Sequence, residues 1–228
     1  MKIKAVIFDL DNTLVNFTQA KRLAVEAAVE AMIDAGLKAG KEETVARVYK
    51  IYEREGIEDQ QIFDKMLAEE YGEIDYRILA AGITGYRRAK AGNMVLYPHV
   101  RITLTQLLKM GLKLAIVSDA PRLLAWLRLV SMGLDPFFDV VVAFDDTGKR
   151  KPDPAPFQLA LDRLGVKPPD ALMIGDWAAR DMIGSKALGM VSVFARYGDD
   201  FNTQNSGADY EITDVVQLVD IVRKINER

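Results

Sequence analysis

The chain of 228 residues has no cysteine, which excludes disulfides, thiolate metal sites and cysteine nucleophiles together. It has a single histidine, His99, so a site with two imidazole ligands is impossible and a serine triad has only that ring to build on. An excess of one charge sign is missing too, since 30 Lys and Arg stand against 33 Asp and Glu for a formal net charge of −3. No broad footprint for nucleic acid or an anionic membrane is expected, and any phosphate recognition has to be local. No stretch is apolar for long enough to read as a signal peptide or a membrane span, from which a cytoplasmic location is expected. Amides are few, seven Gln and six Asn beside abundant Lys, Arg and Glu, a balance that suits a heat-adapted source.

What is present is the composition of a globular protein, 50% hydrophobic and 28% charged, at a length that fits one large domain or a domain with an insertion. Short apolar runs at residues 2–8, 113–117, 140–144, 171–174 and 190–194 read as strands buried on both faces of a parallel sheet. Helical patterns at 100–110, 121–132, 154–164 and 181–188 alternate with them, and 214–226 predicts a final helix. The alternation argues for an α/β fold, a Rossmann-like doubly wound parallel sheet with helices on both faces. Residues 17–91 break it. Apolar positions there, such as Leu23, Ala27 and Ala31, or Ile62, Met66 and Leu67, recur at three- and four-residue steps, and Gly36, Gly56 and Gly72 divide the segment into three or four helices. The expected organisation is a core of residues 1–16 and 92–228 with an all-helical cap, 17–91, inserted after the first strand. Ligands in such sheets bind beyond the carboxyl ends of the strands, so an insertion leaving from that edge is expected to act as a lid.

The first strand ends in Asp9-Leu10-Asp11-Asn12-Thr13, and extended backbone lets Asp9 and Asp11 point to the same side. A calcium loop is excluded, because Leu14 and Ala20 occupy the places of its required Gly and Glu. A later strand ends in Gly175-Asp176, with Asp181 five residues on. Singly these read as a helix cap and a surface residue. Two strand ends delivering paired carboxylates to one edge call for a hard cation to offset the repulsion, and magnesium fits best, keeping waters and substrate phosphate in its octahedron. Ser118-Asp119-Ala120-Pro121 follows another strand and offers a hydroxyl and N–H groups to a phosphoryl oxygen, or a simple cap. Of the cations Lys149, Arg150 and Lys151, only Lys151, fixed by the following Pro152, is expected to point inward.

These residues resemble the four ordered motifs of the haloacid dehalogenase superfamily, namely Asp9-x-Asp11-x-Thr13, the Ser118 loop, Lys151-Pro152, and Gly175-Asp176 with Asp181. The match runs across essentially the whole chain, and the helical insertion resembles that family's C1 cap. The resemblance implies a magnesium-dependent phosphatase for a small phosphorylated metabolite. Asp9 would be the nucleophile that forms an aspartyl-phosphate, and Asp11 the general acid and base. It implies a magnesium ion (Mg2+) on Asp9, the Asp11 backbone carbonyl and Asp176, with Asp181 orienting metal-bound water or Lys151. Lys151 and Ser118 with neighbouring N–H groups, those of Asp119 among them, would hold the phosphoryl oxygens, and Thr13 would anchor the loop. The family's dehalogenases lack the acid at Asp11 and need no metal, so halide chemistry is not expected. Asn12 stands where the family more often has Gly, Trp177 where a small Ser is common and Arg180 where Asn is common. Trp177 is read as a packing residue and His99 as structural. The alternatives are a phosphomutase of the same superfamily, in which a substrate hydroxyl replaces water, and a phosphoacceptor signalling domain without fast turnover. Glyceraldehyde phosphate, phosphoglycolate and nucleoside monophosphates are the substrate candidates, and a homodimer is possible on family grounds.

Overall fold

The structure, a computed structural model, describes residues 2–227. Its backbone contacts divide the chain into two compact units, Met1–Asn16 with Val95–Arg228, and Phe17–Met94.

The first unit is built on a six-stranded sheet in the order β3-β2-β1-β4-β5-β6. Its strands are β1 (Ala5–Phe8), β2 (Lys113–Val117), β3 (Val140–Val142), β4 (Ala171–Gly175), β5 (Val191–Ala195) and β6 (Tyr210–Ile212), all paired in parallel. Every residue of β1, β4 and β5 is buried, which is why these strands read as unbroken apolar runs without alternation. Phe8 lies opposite both Ile116 and Ile174, so the chain leaves the sheet at Asp9 between the ends of β2 and β4. That is the point where the strand order reverses, the crevice in which open α/β sheets bind their ligands.

Helices α5 (Val100–Lys109), α6 (Arg122–Ser131), α7 (Phe144–Thr147), α8 (Pro154–Leu164), α9 (Ile183–Ala187) and α10 (Gln217–Asn226) complete this unit. α8 shows how they are specified. Asp153 caps it by accepting from the Ala155 N–H at 2.9 Å, Pro154 occupies the first turn, and Gly165 closes it in the left-handed conformation at φ 67°. Its buried face, Phe157, Ala160, Leu161 and Leu164, packs with Ile7, Val117 and Met173 of the sheet.

Four elements depart from the expected boundaries. Residues 140–144 are not all strand, since Phe144 opens the short helix α7. Residues 181–188 do not form one helix, because a π-type turn over Ala178–Met182 leads into α9. The last helix begins at Gln217, whose side chain accepts from the N–H groups of Thr213 and Asp214 and holds that stretch as a turn. The edge strand β6 gave no sequence signal, being three residues long with only Ile212 buried.

The second unit is all helical, with α1 (Phe17–Asp34), α2 (Lys41–Glu55), α3 (Ile62–Tyr71) and α4 (Tyr76–Asn93). It has its own core, including Val29, Met32, Val48, Phe63, Met66 and Leu79. Among the described residues no helix is long and apolar enough to cross a membrane. α1 and α4 approach closely because Gly85 presents no side chain, and a Cβ there would lie 2.7 Å from the Ala27 carbonyl oxygen and 3.0 Å from the Ala31 Cβ. Gly85→Val must therefore part the two helices, with an expected loss of about 1–3 kcal/mol. A thermal melt checks this, and an unchanged unfolding transition contradicts it.

Candidate active site

The loop after β1 is a tight turn in which Asn12 adopts the left-handed conformation at φ 57°, a geometry that Asn tolerates better than most residues. The Asn12 N–H donates to the Val15 carbonyl at 2.7 Å and the Leu14 N–H to that of Leu10 at 3.0 Å, closing the turn on itself. The Asp9 N–H continues the parallel ladder to the Ile174 carbonyl at 2.9 Å, so the side chain that leaves the sheet does so from a fixed backbone. The Thr13 hydroxyl lies 3.1 Å from Asp176 Oδ1 and 3.4 Å from Asp9 Oδ2, tying the loop to the end of β4.

Lys151 is buried at the centre, whereas Lys149 and Arg150 are exposed. Its Nζ donates to Asp9 Oδ1 at 2.5 Å and to Asp181 Oδ1 at 2.6 Å. Burial alone would lower the ammonium's pKa, but Asp181, Asp9 and Asp119 together hold it well above the usual lysine value, so Lys151 is charged. The other oxygen of Asp181 accepts from the Trp177 N–H at 3.0 Å. Gly175 makes room for this carboxylate, since a Cβ there would meet Asp181 Cγ at 2.3 Å. Burial, opposed by Lys151 and aided by Asp9, pushes the Asp181 carboxyl up to about 6. Burial followed by the charges of Asp9 and Asp181 pushes Asp176 well above the ordinary carboxylate range.

Asp9, Asp176 and Asp181 each offer a carboxylate oxygen within 4.8 Å of the others, and all three are buried. One ammonium faces three carboxylates, and the repulsion among them adds to burial in raising the pKa values of Asp176 and Asp181. A hard divalent cation fits this all-oxygen donor set and would relieve the repulsion. The Asp11 side chain stands outside the cluster and is turned to Arg128 of α6, whose Nη1 lies 3.1 Å from Asp11 Oδ2.

The remaining predicted residues lie on the loops after β2 and β4, apart from His99, which directly precedes α5. Ser118 is buried and its Oγ accepts from the Ala120 N–H at 3.2 Å, an arrangement that holds the loop before α6. The Asp119 carboxylate accepts from the Lys151 N–H at 2.9 Å and from Arg180 Nη1 at 2.9 Å. It thereby links three loops, and any part it plays toward an anion falls to its backbone. The Arg180 guanidinium lies 3.5 Å from the Trp177 ring centroid, and Phe201 stacks on Trp177 at 4.4 Å. Trp177 is half-buried between these two neighbours. His99 is 55% exposed and pairs with Asp214 through Nδ1 at 2.6 Å.

Three contributors went unread in the sequence. Arg128 occupies the buried face of α6 with Ala125 and Leu129, where helical periodicity calls for an apolar residue, and that mismatch was a usable signal. Tyr197 donates to the Thr13 carbonyl at 2.8 Å and Asn12 donates to Asp200 at 2.9 Å, so the segment after β5 braces the Asp9 loop. No motif marks that segment.

Comparison with known proteins adds a family. The sequence profile of the haloacid dehalogenase-like hydrolases matches residues 3–189. The glyceraldehyde 3-phosphate phosphatase of Methanocaldococcus jannaschii is 35% identical over 228 residues, which span 99% of this chain and 99% of that protein. Pyrophosphatase PpaX of Halalkalibacterium halodurans is 30% identical, covering 97% of this chain and 98% of its own. Among solved structures, a HAD phosphatase from Thermococcus onnurineus superposes with a TM-score of 0.74 at 30% identity, covering 97% of this chain and 98% of that one.

Gly198 allows the bracing segment to touch the Asp9 loop, for a Cβ there would lie 1.7 Å from the Asn12 carbonyl oxygen and 3.1 Å from Asp176 Cβ. Gly198→Ala must displace one loop or the other. A misplacement on the order of 1 Å lowers turnover by about 10²-fold. Steady-state kinetics with a thermal melt checks this, and unchanged values in both contradict it.

Proposed function

Because the chain belongs to the haloacid dehalogenase-like hydrolases, we propose that it is a magnesium-dependent phosphatase that cleaves a small phosphomonoester through an aspartyl-phosphate on Asp9. The observation that carries this reading is the buried cluster at the reversal of strand order, where Asp9 meets a charged lysine, two further carboxylates and the end of β4. A phosphoryl group brings oxygens that need cations and donors, and a nucleophile must face it from a fixed position.

In this mechanism an Asp9 carboxylate oxygen attacks phosphorus while the bond to the leaving oxygen breaks. Asp11 hands that oxygen a proton, then takes one from the water that attacks the phosphorus of the aspartyl-phosphate. Inorganic phosphate leaves and Asp9 returns as a carboxylate. Asp9, Asp176 and the Asp11 backbone carbonyl would hold magnesium, which supplies charge neutralisation that lets one anion approach another. Lys151 and the Ser118 loop hold the transferred oxygens, and Asp181 holds Lys151 in place. Thr13 fixes the loop that carries both acids. The water-activating acid at Asp11 favours hydrolysis over a stable phosphoacceptor, and no observation favours the phosphomutase alternative. We assign the helical unit the role of a cap that excludes water, in keeping with its insertion directly after the Asp9 loop.

Among substrates, glyceraldehyde 3-phosphate ranks first, because relatives of that name match this chain end to end at 30% identity or more. A panel of phosphometabolites that includes it, phosphoglycolate, nucleoside monophosphates and pyrophosphate tests the assignment, with release of inorganic phosphate as the readout. Magnesium-dependent release that disappears in excess chelator and in Asp9→Asn, with the fold of the variant intact by circular dichroism, is the expected result. Turnover that survives either change contradicts the proposal.

A further inference from the structure

We propose that Arg180 is a positioning residue for Lys151: through Asp119 it fixes the backbone from which the ammonium reaches the phosphoryl oxygens, and so sets the affinity of the site for phosphate. The inference rests on the reading of Lys151 as a cation that holds the transferred oxygens.

The connection between β3 and α8 carries three cations in a row, Lys149, Arg150 and Lys151, and of these only Lys151 is buried. A backbone shift of one residue there would offer the site a different cation. Lys151 is marked out by the Asp119 carboxylate, whose Oδ1 accepts the Lys151 N–H at 2.9 Å while its Oδ2 accepts from Arg180 Nη1 at 2.9 Å. The bond to the guanidinium pairs opposite charges and is the stronger of the two, so it decides how the carboxylate is turned. Arg180 is itself held by the indole of Trp177, with its guanidinium 3.5 Å from the ring centroid. The Trp177 N–H donates to Asp181 Oδ2 at 3.0 Å, and Asp181 Oδ1 accepts from Lys151 Nζ at 2.6 Å. These contacts close a ring that grips Lys151 at both ends, the N–H by way of Asp119 and Arg180 and the ammonium by way of Asp181. Both arms start from the same turn after β4, so the two ends of the lysine are set against one frame. Without the guanidinium, the Asp119 carboxylate can turn to water, and the N–H of a buried residue then loses its acceptor.

The test reads phosphate affinity. Calorimetric titration with inorganic phosphate at saturating magnesium gives Kd, and hydrolysis of p-nitrophenyl phosphate gives kcat and KM, for the wild-type chain, R180M, R180K, D119N, D119N/R180M and K151M. R180M is expected to raise Kd and KM about tenfold, the scale of one weakened charge-assisted hydrogen bond, and R180K to recover about threefold of that. D119N is expected to match R180M, because an amide has one accepting oxygen where two are needed. Adding R180M to D119N should raise Kd no more than about twofold, as for residues acting as one unit. A fall in kcat with Kd and KM unchanged, as from a smaller folded fraction, overturns the proposal. So does a full further rise in the D119N background, which would mean that Arg180 meets phosphate itself. If R180M does not fold, R180Q carries the same comparison with the same criterion. A raised Kd in K151M beside a wild-type Kd in R180M defeats this inference alone, whereas a wild-type Kd in K151M removes the reading of Lys151 beneath it. K151R takes the place of K151M if that variant does not fold.

Discussion

The ammonium of Lys151 sits between Asp9 and Asp181, at 2.5 Å and 2.6 Å, where solvent does not reach. The loops after β1, β3 and β4 have no covalent reason to meet, and the carboxylates on the first and last of them would drive those two apart. A buried cation from the loop after β3, shared by both, turns that repulsion into a contact. The rest of the arrangement follows from keeping this charge in place. Asp119 accepts from the Lys151 backbone, Arg180 holds Asp119, and the Trp177 N–H takes the second oxygen of Asp181. Removing the positive charge would leave buried carboxylates with no compensation, which a folded protein does not tolerate cheaply.

The scaffold contributes stiffness. A parallel sheet whose central strands are buried on both faces cannot shift register without exposing its core, and the residues one step past those strands inherit that rigidity. Helix α6 and the segment after β5 then act on the loops from outside the sheet. Arg128 does so by charge, Tyr197 by a hydrogen bond to Thr13, and Gly198 by having no side chain. Charge compensation at the centre and backbone support at the rim are separate tasks, and different elements perform them.

Much of this was legible in the sequence, for physical reasons that also mark where legibility ends. Asp9 and Asp176 come directly after strand ends, with Lys151 and Asp181 farther along the connections that follow β3 and β4, and a buried parallel strand is among the clearest patterns a sequence carries. Charged residues at such positions declare themselves. Arg128 did not, because it lies within a helix whose other charge, Arg122, is on the exposed side, and only its phase on the helix sets it apart. Tyr197, Gly198 and Asp200 lie on an irregular segment with no period to violate, and their role depends on contacts with residues more than 180 positions away, such as Thr13. The π-type turn at Ala178–Met182 was hidden for a related reason, since it keeps helical composition while changing the pitch. The short strand β6 lacks the length and burial that make strands readable.

The central claim is that Asp9 itself receives the phosphoryl group. The most direct measurement is a single turnover quenched in acid within milliseconds, followed by peptide mass spectrometry of the segment containing Asp9. The account predicts the mass of one phosphoryl group on Asp9, transient in the wild-type chain and lost as inorganic phosphate appears. Phosphate release with no modified Asp9 at any time, or a modification carried by another residue, would contradict it.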